Sequence, residues 1–253
     1  HLEAMPDNHS RGVSQKVYKV FGLPETEVNS KLKDIENKDE RIRIGYYPVF
    51  PEVHVSITVL GGSQEESDSL FQQYDAEIVR ILGDCVFATD SETMEEIIGN
   101  HLTSRQKTLA VAESCSGGLI SHKLTKRPGS SVFFVGGVVA YSNDLKQNIL
   151  GVDSEILLKY GAVSAETVRA MADGVKRITK ADYALSVTGI AGPTGGTGEK
   201  PVGTVYIGLA AEGGIEAYRY HFSGDRWQVQ AMTSMAALDL LRRQMLGLQM
   251  KID

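Results

Sequence analysis

The stretch Thr108-Leu-Ala-Val-Ala-Glu-Ser-Cys-Ser-Gly-Gly-Leu119 constrains this chain more than any other. A short apolar run meets a Glu-Ser-Cys-Ser-Gly-Gly turn, and a helical pattern follows. The fold must therefore feed a buried strand into a helix through a tight turn. Such a turn gathers backbone N–H groups that lack intrahelical partners and point one way. A serine hydroxyl placed there sits beside an anion-stabilising site, which suits an acyl-transfer nucleophile or a phosphate ligand.

The rest of the chain divides into two textures. His1-Leu-Glu-Ala-Met-Pro6 lacks the regions of a signal peptide, so residues 1–9 read as a tag or vector remnant with Met5 as an engineered start. Residues 10–89 are rich in charge. Lys31–Arg41 reads as a helix end and a solvated loop, with Ile42–Tyr46 and Val53–Leu60 as strands. The second strand alternates: Val53, Val55, Ile57 and Val59 share one face, His54, Ser56 and Thr58 the other. Gly61-Gly62 ends it, Ser67–Leu82 has helical spacing, and Val86-Phe87 is a short strand. This order describes a small α+β module.

A second domain is expected over residues 90–253. Thr93–Ser104 reads as a helix capped by Ser91 or Thr93, Thr108–Ala112 as a buried strand, and Leu119–Leu124 as a helix. Val132–Tyr141 reads as a long strand interrupted by Gly136-Gly137. Two short helices follow, Leu145–Leu150 and Ser154–Tyr160, then a clear helix, Ser164–Ile178, capped by Ser164. Next come a strand, Ala181–Val187, a glycine-rich loop, Gly189–Gly203, a hairpin of Thr204–Ala210 with Glu216–Phe222, and a terminal helix, Asp225–Leu246. Strands alternating with helices, plus one hairpin, predict an α/β fold: a mixed sheet covered by helices.

With 42% hydrophobic and 23% charged residues, the chain has the make-up of a soluble globular protein. Its net charge of −6 disfavours nonspecific binding to nucleic acid or anionic lipid. No apolar run approaches the roughly 20 residues of a membrane span, so no membrane partner is expected. Cys85 and Cys115 lie in unrelated contexts without ligand-like spacing. That argues against a disulfide framework or zinc site and for a cytoplasmic location.

Glu113–Gly118, Tyr141–Lys146, Thr188–Gly203 and Ser223–Arg226 are polar or glycine-rich where a core would not be. Ligands of open α/β sheets bind beyond the carboxyl ends of strands, so these loops are expected to converge on one pocket. Ser114 is the favoured nucleophile, although a serine at such a turn is as readily an N-cap. The Gly-x-Ser-x-Gly elbow is missing around it. His122 lies about two turns along the next helix and faces away, so Lys146 is the better base. It serves only if burial or a nearby cation lowers its pKa by several units from ~10.4; otherwise it is a solvated surface lysine. Tyr141 would relay the proton or orient the lysine. Cys115 is the more nucleophilic atom type but has no evident His or Asn partner, and it ranks second. Glu113 would cap or orient the turn by accepting backbone N–H bonds. Gly189–Gly203 is no Walker A loop, since Glu199 follows Gly198. Its many backbone donors suit a phosphate or amide ligand, against the plainer reading of a mobile loop. Arg226 opens a helix whose dipole opposes its charge, a conflict that a bound anion would relieve.

Taken in order, Ala112-Glu-Ser-Cys-Ser-Gly-Gly118, Tyr141-Ser-Asn-Asp-Leu-Lys146, Gly161-Ala-Val-Ser164, Thr188-Gly-Ile-Ala-Gly-Pro193, Lys200-Pro-Val-Gly-Thr204 and Phe222-Ser-Gly-Asp-Arg226 resemble the CinA carboxy-terminal family. These are the nicotinamide-nucleotide amidohydrolases. The resemblance covers residues from about 91 to 246 and implies a three-layer amidase domain built on the mixed sheet. The first half looks like the small KH-like middle module of full-length members. Those members also carry an amino-terminal nucleotide-pyrophosphatase domain, so the chain looks like a truncated form.

The resemblance implies deamidation of nicotinamide mononucleotide to nicotinic acid mononucleotide and ammonia, with no metal or cofactor. The family's serine, lysine and tyrosine fall on Ser114, Lys146 and Tyr141. Cys115, Ser116 and Gly117 would form the oxyanion turn; Ser116 keeps the hydroxyl of the family's usual threonine. Glu113, Gly118, Thr188, Gly189, Gly195, Gly196 and Arg226 make up the implied substrate-binding set, the 5′-phosphate resting on Arg226 or on the glycine-rich loop. The competing readings are a serine amidase or esterase for another small amide, and a non-catalytic nucleotide-binding protein. KH modules clamp nucleic acid with a Gly-x-x-Gly loop. Gly61-Gly62 followed by Ser63-Gln-Glu-Glu-Ser67 supplies none, so nucleic acid is not an expected partner. The first half is expected instead to pack on its neighbour or a second subunit, and the protein is expected to be a homo-oligomer, a dimer or higher.

Overall fold

The computed structural model describes residues 12–250; the stretch 1–9, expected to be a tag, lies outside the described residues. The chain divides between Glu92 and Thr93 into two compact units.

The first unit runs β1 (Gly12–Val20), α1 (Glu25–Glu36), β2 (Ile42–Val49), β3 (Glu52–Gly61), α2 (Gln64–Leu82) and β4 (Val86–Thr89). Its strands form an antiparallel sheet in the order β2-β3-β1-β4. Val53, Val55, Ile57 and Val59 of β3 turn to a core shared with Leu32 and Ile35 of α1 and Tyr74 and Ile78 of α2, as the alternation of β3 requires. The amino-acid pattern does not announce β1. Ser14, Lys16, Tyr18 and Val20 share its inner face, and only the last two are buried. Lys16 stays there by pairing with Asp75 of α2 at 2.8 Å, and the Tyr18 hydroxyl donates to the same carboxylate at 2.6 Å.

The second unit runs α3 (Met94–Ser104), β5 (Leu109–Glu113), α4 (Leu119–Thr125), β6 (Phe134–Val139), α5 (Asn143–Asn148), α6 (Ser154–Tyr160), α7 (Ala165–Thr179), β7 (Tyr183–Gly189), β8 (Thr204–Ala211), β9 (Gly214–His221) and α8 (Arg226–Leu246). Its sheet has the order β6-β5-β7-β8-β9. β5 runs parallel to both neighbours, and β7, β8 and β9 are antiparallel in turn. This is the predicted mixed sheet with one hairpin. β6 begins later than its apolar run suggests: Ser130–Val132 forms a 3-10 turn, and the ladder to β5 shifts register next to Gly136, whose φ is 155°.

β5 is buried along its whole length, as a parallel strand covered on both faces must be. The chain leaves it to one side for β6, then crosses back over it to β7. Crossovers of one hand in opposite directions put their helices on opposite faces. Accordingly Met171, Ala172 and Val175 of α7 pack on Ala110, Ala112, Ala184 and Ala210, while α4 and α8 pack together against the sheet's other side. The reversal opens a crevice at the carboxyl end of β5. β5, β6, β7 and β9 all end at that edge, so the segments that follow them meet there.

α8 is buried on nearly every side, with Asp239, Arg242 and Arg243 inside. Asp239 accepts from Arg242 Nε at 2.8 Å and from Arg243 Nε at 2.7 Å. Deleting one partner of a buried pair leaves charge uncompensated. Asp239→Ala is expected to lower the unfolding free energy by about 3–5 kcal/mol, measured as a fall in the urea midpoint.

Candidate functional site

β5 ends at Glu113, and the chain reverses through Ser114–Gly118. The Ser114 N–H donates to Val187 O at 3.1 Å, and the Gly117 N–H returns to Ser114 O at 3.2 Å. Gly117 and Gly118 have φ of 66° and 101°, a left-handed region where a side chain is strained. The buried Glu113 carboxylate accepts from the N–H groups of Gly118, Ile120 and Ser121 at 3.1, 3.0 and 2.8 Å. It also takes the hydroxyls of Ser116 and Ser121, each at 2.7 Å. The protein thus supplies its own anion to the start of α4. Glu113 and Gly118, expected to bind substrate, build the turn instead, and the Gly117 N–H is spent on Ser114. The N–H groups of Cys115 and Ser116 donate to no protein oxygen among the described residues.

α5 opens at Ser142, whose Oγ accepts from Leu145 N–H at 3.2 Å. This cap swings Lys146 toward Ser114. Lys146 is 1% exposed. Its Nζ donates to Ser114 Oγ at 3.0 Å, Ala140 O at 2.8 Å and Tyr141 O at 3.3 Å. No carboxylate is among these partners, and burial lowers its pKa below the ordinary 10.5. A neutral amine here keeps two N–H bonds to the carbonyls and turns its lone pair to the Ser114 hydroxyl. Burial pushes the Cys115 thiol up to about 12, so it stays protonated at neutral pH and makes a poor nucleophile. Its carbonyl accepts from Gln230 Nε2 of α8 at 2.9 Å.

A cleft of about 180 Å³ opens over this pair. Ser114, Cys115, Tyr141, Lys146, Thr188, Gly189 and Arg226 line it. The Tyr141 phenol does not reach Lys146; it accepts from Arg226 Nη2 at 2.8 Å. Its expected role as proton relay therefore gives way to another arrangement: the Tyr141 carbonyl orients the lysine, and its ring stands beside Arg226. Arg226 Nη1 donates to Gly192 O at 2.9 Å, and a capping box between Asp225 and Gln228 fixes its place at the start of α8. Thr188 is buried, its hydroxyl donating to Ala162 O at 2.7 Å. At Gly189 a Cβ would collide with Val205 and the Thr204 carbonyl. Gly195 and Gly196 are exposed and lie outside the lining, as do Ser116 and Gly117.

Asn143, Ala162, Val163 and Ala191 also line the cleft. All lie within the motif segments, but nothing in the residue order says which side chains turn inward. Among the described residues no group of three or more His, Cys, Asp or Glu is placed to hold a metal ion, and no helix is long and apolar enough to cross a membrane.

The family model for the CinA C-terminal domain matches residues 91–245, and that for the damage-inducible protein CinA KH domain matches residues 15–88. A CinA-like protein of Desulfotalea psychrophila is 46% identical over 232 residues, which is 92% of this chain and 56% of that protein. One of Syntrophus aciditrophicus is also 46% identical, over 91% of this chain and 55% of its own length. The chain thus spans about half the length of the curated relatives it matches. Among solved structures, a competence/damage inducible protein of Agrobacterium tumefaciens is 38% identical with a TM-score of 0.57, covering 59% of this chain and 93% of that one. The competence damage-inducible protein A of Klebsiella pneumoniae is 34% identical with a TM-score of 0.59, covering 62% and 100%. The chain belongs to the CinA family, its second unit being a CinA C-terminal domain and its first a CinA KH domain.

Proposed function

We propose that the cleft is the active site of a serine amidohydrolase that converts nicotinamide mononucleotide to nicotinic acid mononucleotide and ammonia. The supporting observation is the 3.0 Å contact between Lys146 Nζ and Ser114 Oγ in a setting that disfavours the charged lysine. That is the geometry of a nucleophile with its base.

The Ser114 oxygen attacks the carboxamide carbon while its proton passes to Lys146 Nζ. The carbonyl oxygen becomes an anion facing the N–H groups of Cys115 and Ser116; loss of one such donor costs roughly 2.7–4 kcal/mol in other enzymes. Lys146 returns the proton to the amide nitrogen, the C–N bond breaks, and ammonia leaves an acyl ester on Ser114. Water then adds to the ester carbonyl with Lys146 as base. The ester bond breaks, the acid departs, and the proton returns to Ser114. Arg226 with the Tyr141 phenol beside it offers the 5′-phosphate a charge-assisted site at the cleft. The position of Gly195 and Gly196 outside the lining favours Arg226 over the glycine-rich loop for this role.

The test is ammonia release from nicotinamide mononucleotide. Ser114→Ala is expected to abolish it with the melting temperature unchanged, and Lys146→Met to lower kcat by about 10²–10⁴-fold. Arg226→Ala is expected to raise KM for the nucleotide and not for the nucleoside, which lacks the phosphate. Near-full turnover by Ser114→Ala would sink the nucleophile assignment, and a wild-type enzyme indifferent to the phosphate would point to another small amide.

A further inference from the structure

Ser114, Cys115, Ser116 and Gly117 form a β-turn closed by the Gly117 N–H on Ser114 O. The Cys115–Ser116 peptide is its central unit. Such a peptide has two orientations that leave the outer residues in place. In one, both middle residues have negative φ; in the other, flipped by half a turn, the third residue has positive φ. The Cys115–Ser116 peptide is trans, so its carbonyl and N–H point in opposite directions and a flip exchanges them. Ser116 has no positive φ, so the unflipped form is the one present. The flipped form costs a non-glycine residue roughly 1–2 kcal/mol, which by itself is a modest lock.

We propose that Gln230 is a positioning residue that holds this peptide in the orientation the oxyanion needs. Gln230 lies in the second turn of α8 and places Nε2 2.9 Å from Cys115 O. It packs on the turn closely enough that a Cβ at Gly117 would lie 3.7 Å from the same nitrogen. Holding the carbonyl toward α8 turns the Ser116 N–H to the other side of the peptide. That N–H and its neighbour on Cys115 are the two donors of the turn that meet no protein oxygen among the described residues, and both lie beside the Cys115 sulfur. Glu113 anchors the turn from below through Ser116 Oγ and Gly118 N–H, and Gln230 secures its centre. In the flipped form the Cys115 carbonyl would face the forming oxyanion, and repulsion would replace a hydrogen bond.

This inference rests on the serine amidohydrolase reading, and two readouts separate them: ammonia release from nicotinamide mononucleotide, and phosphonylation of Ser114 by a fluorophosphonate, followed by mass. In the second, the serine oxygen bonds to phosphorus, fluoride leaves, and the hydroxyl proton passes to the base. Gln230→Met keeps the shape and removes the donor; Gln230→Glu keeps shape and polarity and offers only acceptors. In both, kcat is expected to fall about 10-fold to 100-fold, with KM and melting temperature unchanged and phosphonylation slowed by a similar factor. A residue that merely braces the fold would lower the melting temperature and leave kcat alone. Rates within twofold of wild type in both variants, or a change in KM alone, overturn the proposal. If wild type is phosphonylated at Ser114 but releases no ammonia, the substrate reading fails, and slower labelling of the variants still upholds the role of Gln230. A wild type that is neither active nor labelled overturns both.

Discussion

Lys146 holds its amine out of water between the Ser114 hydroxyl and the carbonyls of Ala140 and Tyr141. An ammonium placed there gives up hydration that two carbonyl dipoles and a hydroxyl replace only in part, and no carboxylate compensates it. The neutral amine loses far less, so the niche favours the form that accepts a proton. Each part of the niche comes from a different piece of the fold. The end of β6 supplies the carbonyls, the cap at Ser142 brings Lys146 around, and the end of β5 supplies Ser114. Only adjacent parallel strands ending at one edge bring these parts within hydrogen-bonding reach.

A second constraint keeps that arrangement selective. Strand-to-helix turns attract anions, and here Glu113 already fills the position with three backbone N–H groups and two hydroxyls. The start of α4 is thereby closed to a phosphate, while the N–H groups of Cys115 and Ser116 meet no protein oxygen among the described residues and are the donors the proposed reaction would turn to its oxyanion. Under the proposed reaction, charge recognition falls to Arg226, which reaches the same cleft from the far side of the sheet through β9 and α8. The proposed reaction would thus assign transition-state charge and substrate charge to separate groups.

Much of this was legible in the residue order, and the rest was not for definite reasons. β3 was readable because Val53, Val55, Ile57 and Val59 repeat at the period of a strand with one buried face. β1 was hidden because Ser14 and Lys16 occupy its inner face, and only a carboxylate on α2 makes that placement tolerable. The caps at Thr93 and Ser164 followed from local chemistry, as side chain and N–H lie three residues apart. Ser114, Lys146, Tyr141 and Arg226 could be picked out by residue type and position, and all four line one cleft. Their pairing could not. Whether the Tyr141 phenol meets Lys146 or Arg226 depends on which way one side chain leaves the end of β6. Gly195 and Gly196 misled because flexible donors look alike in sequence whether they face a ligand or solvent.

The site depends on the lowered proton affinity of Lys146. Above the folded-state pKa the native chain has released a proton that the unfolded chain still holds up to about 10.5. Within that window the contribution of this group to stability therefore rises with pH. The direct measurement is an NMR titration of the protein labelled at lysine Cε and Nζ, with the Lys146 signal assigned by its loss in Lys146→Met. The Lys146 signal is expected to titrate below the other lysines and below 10.5. A Lys146 signal that titrates with the surface lysines, or above them, would contradict it.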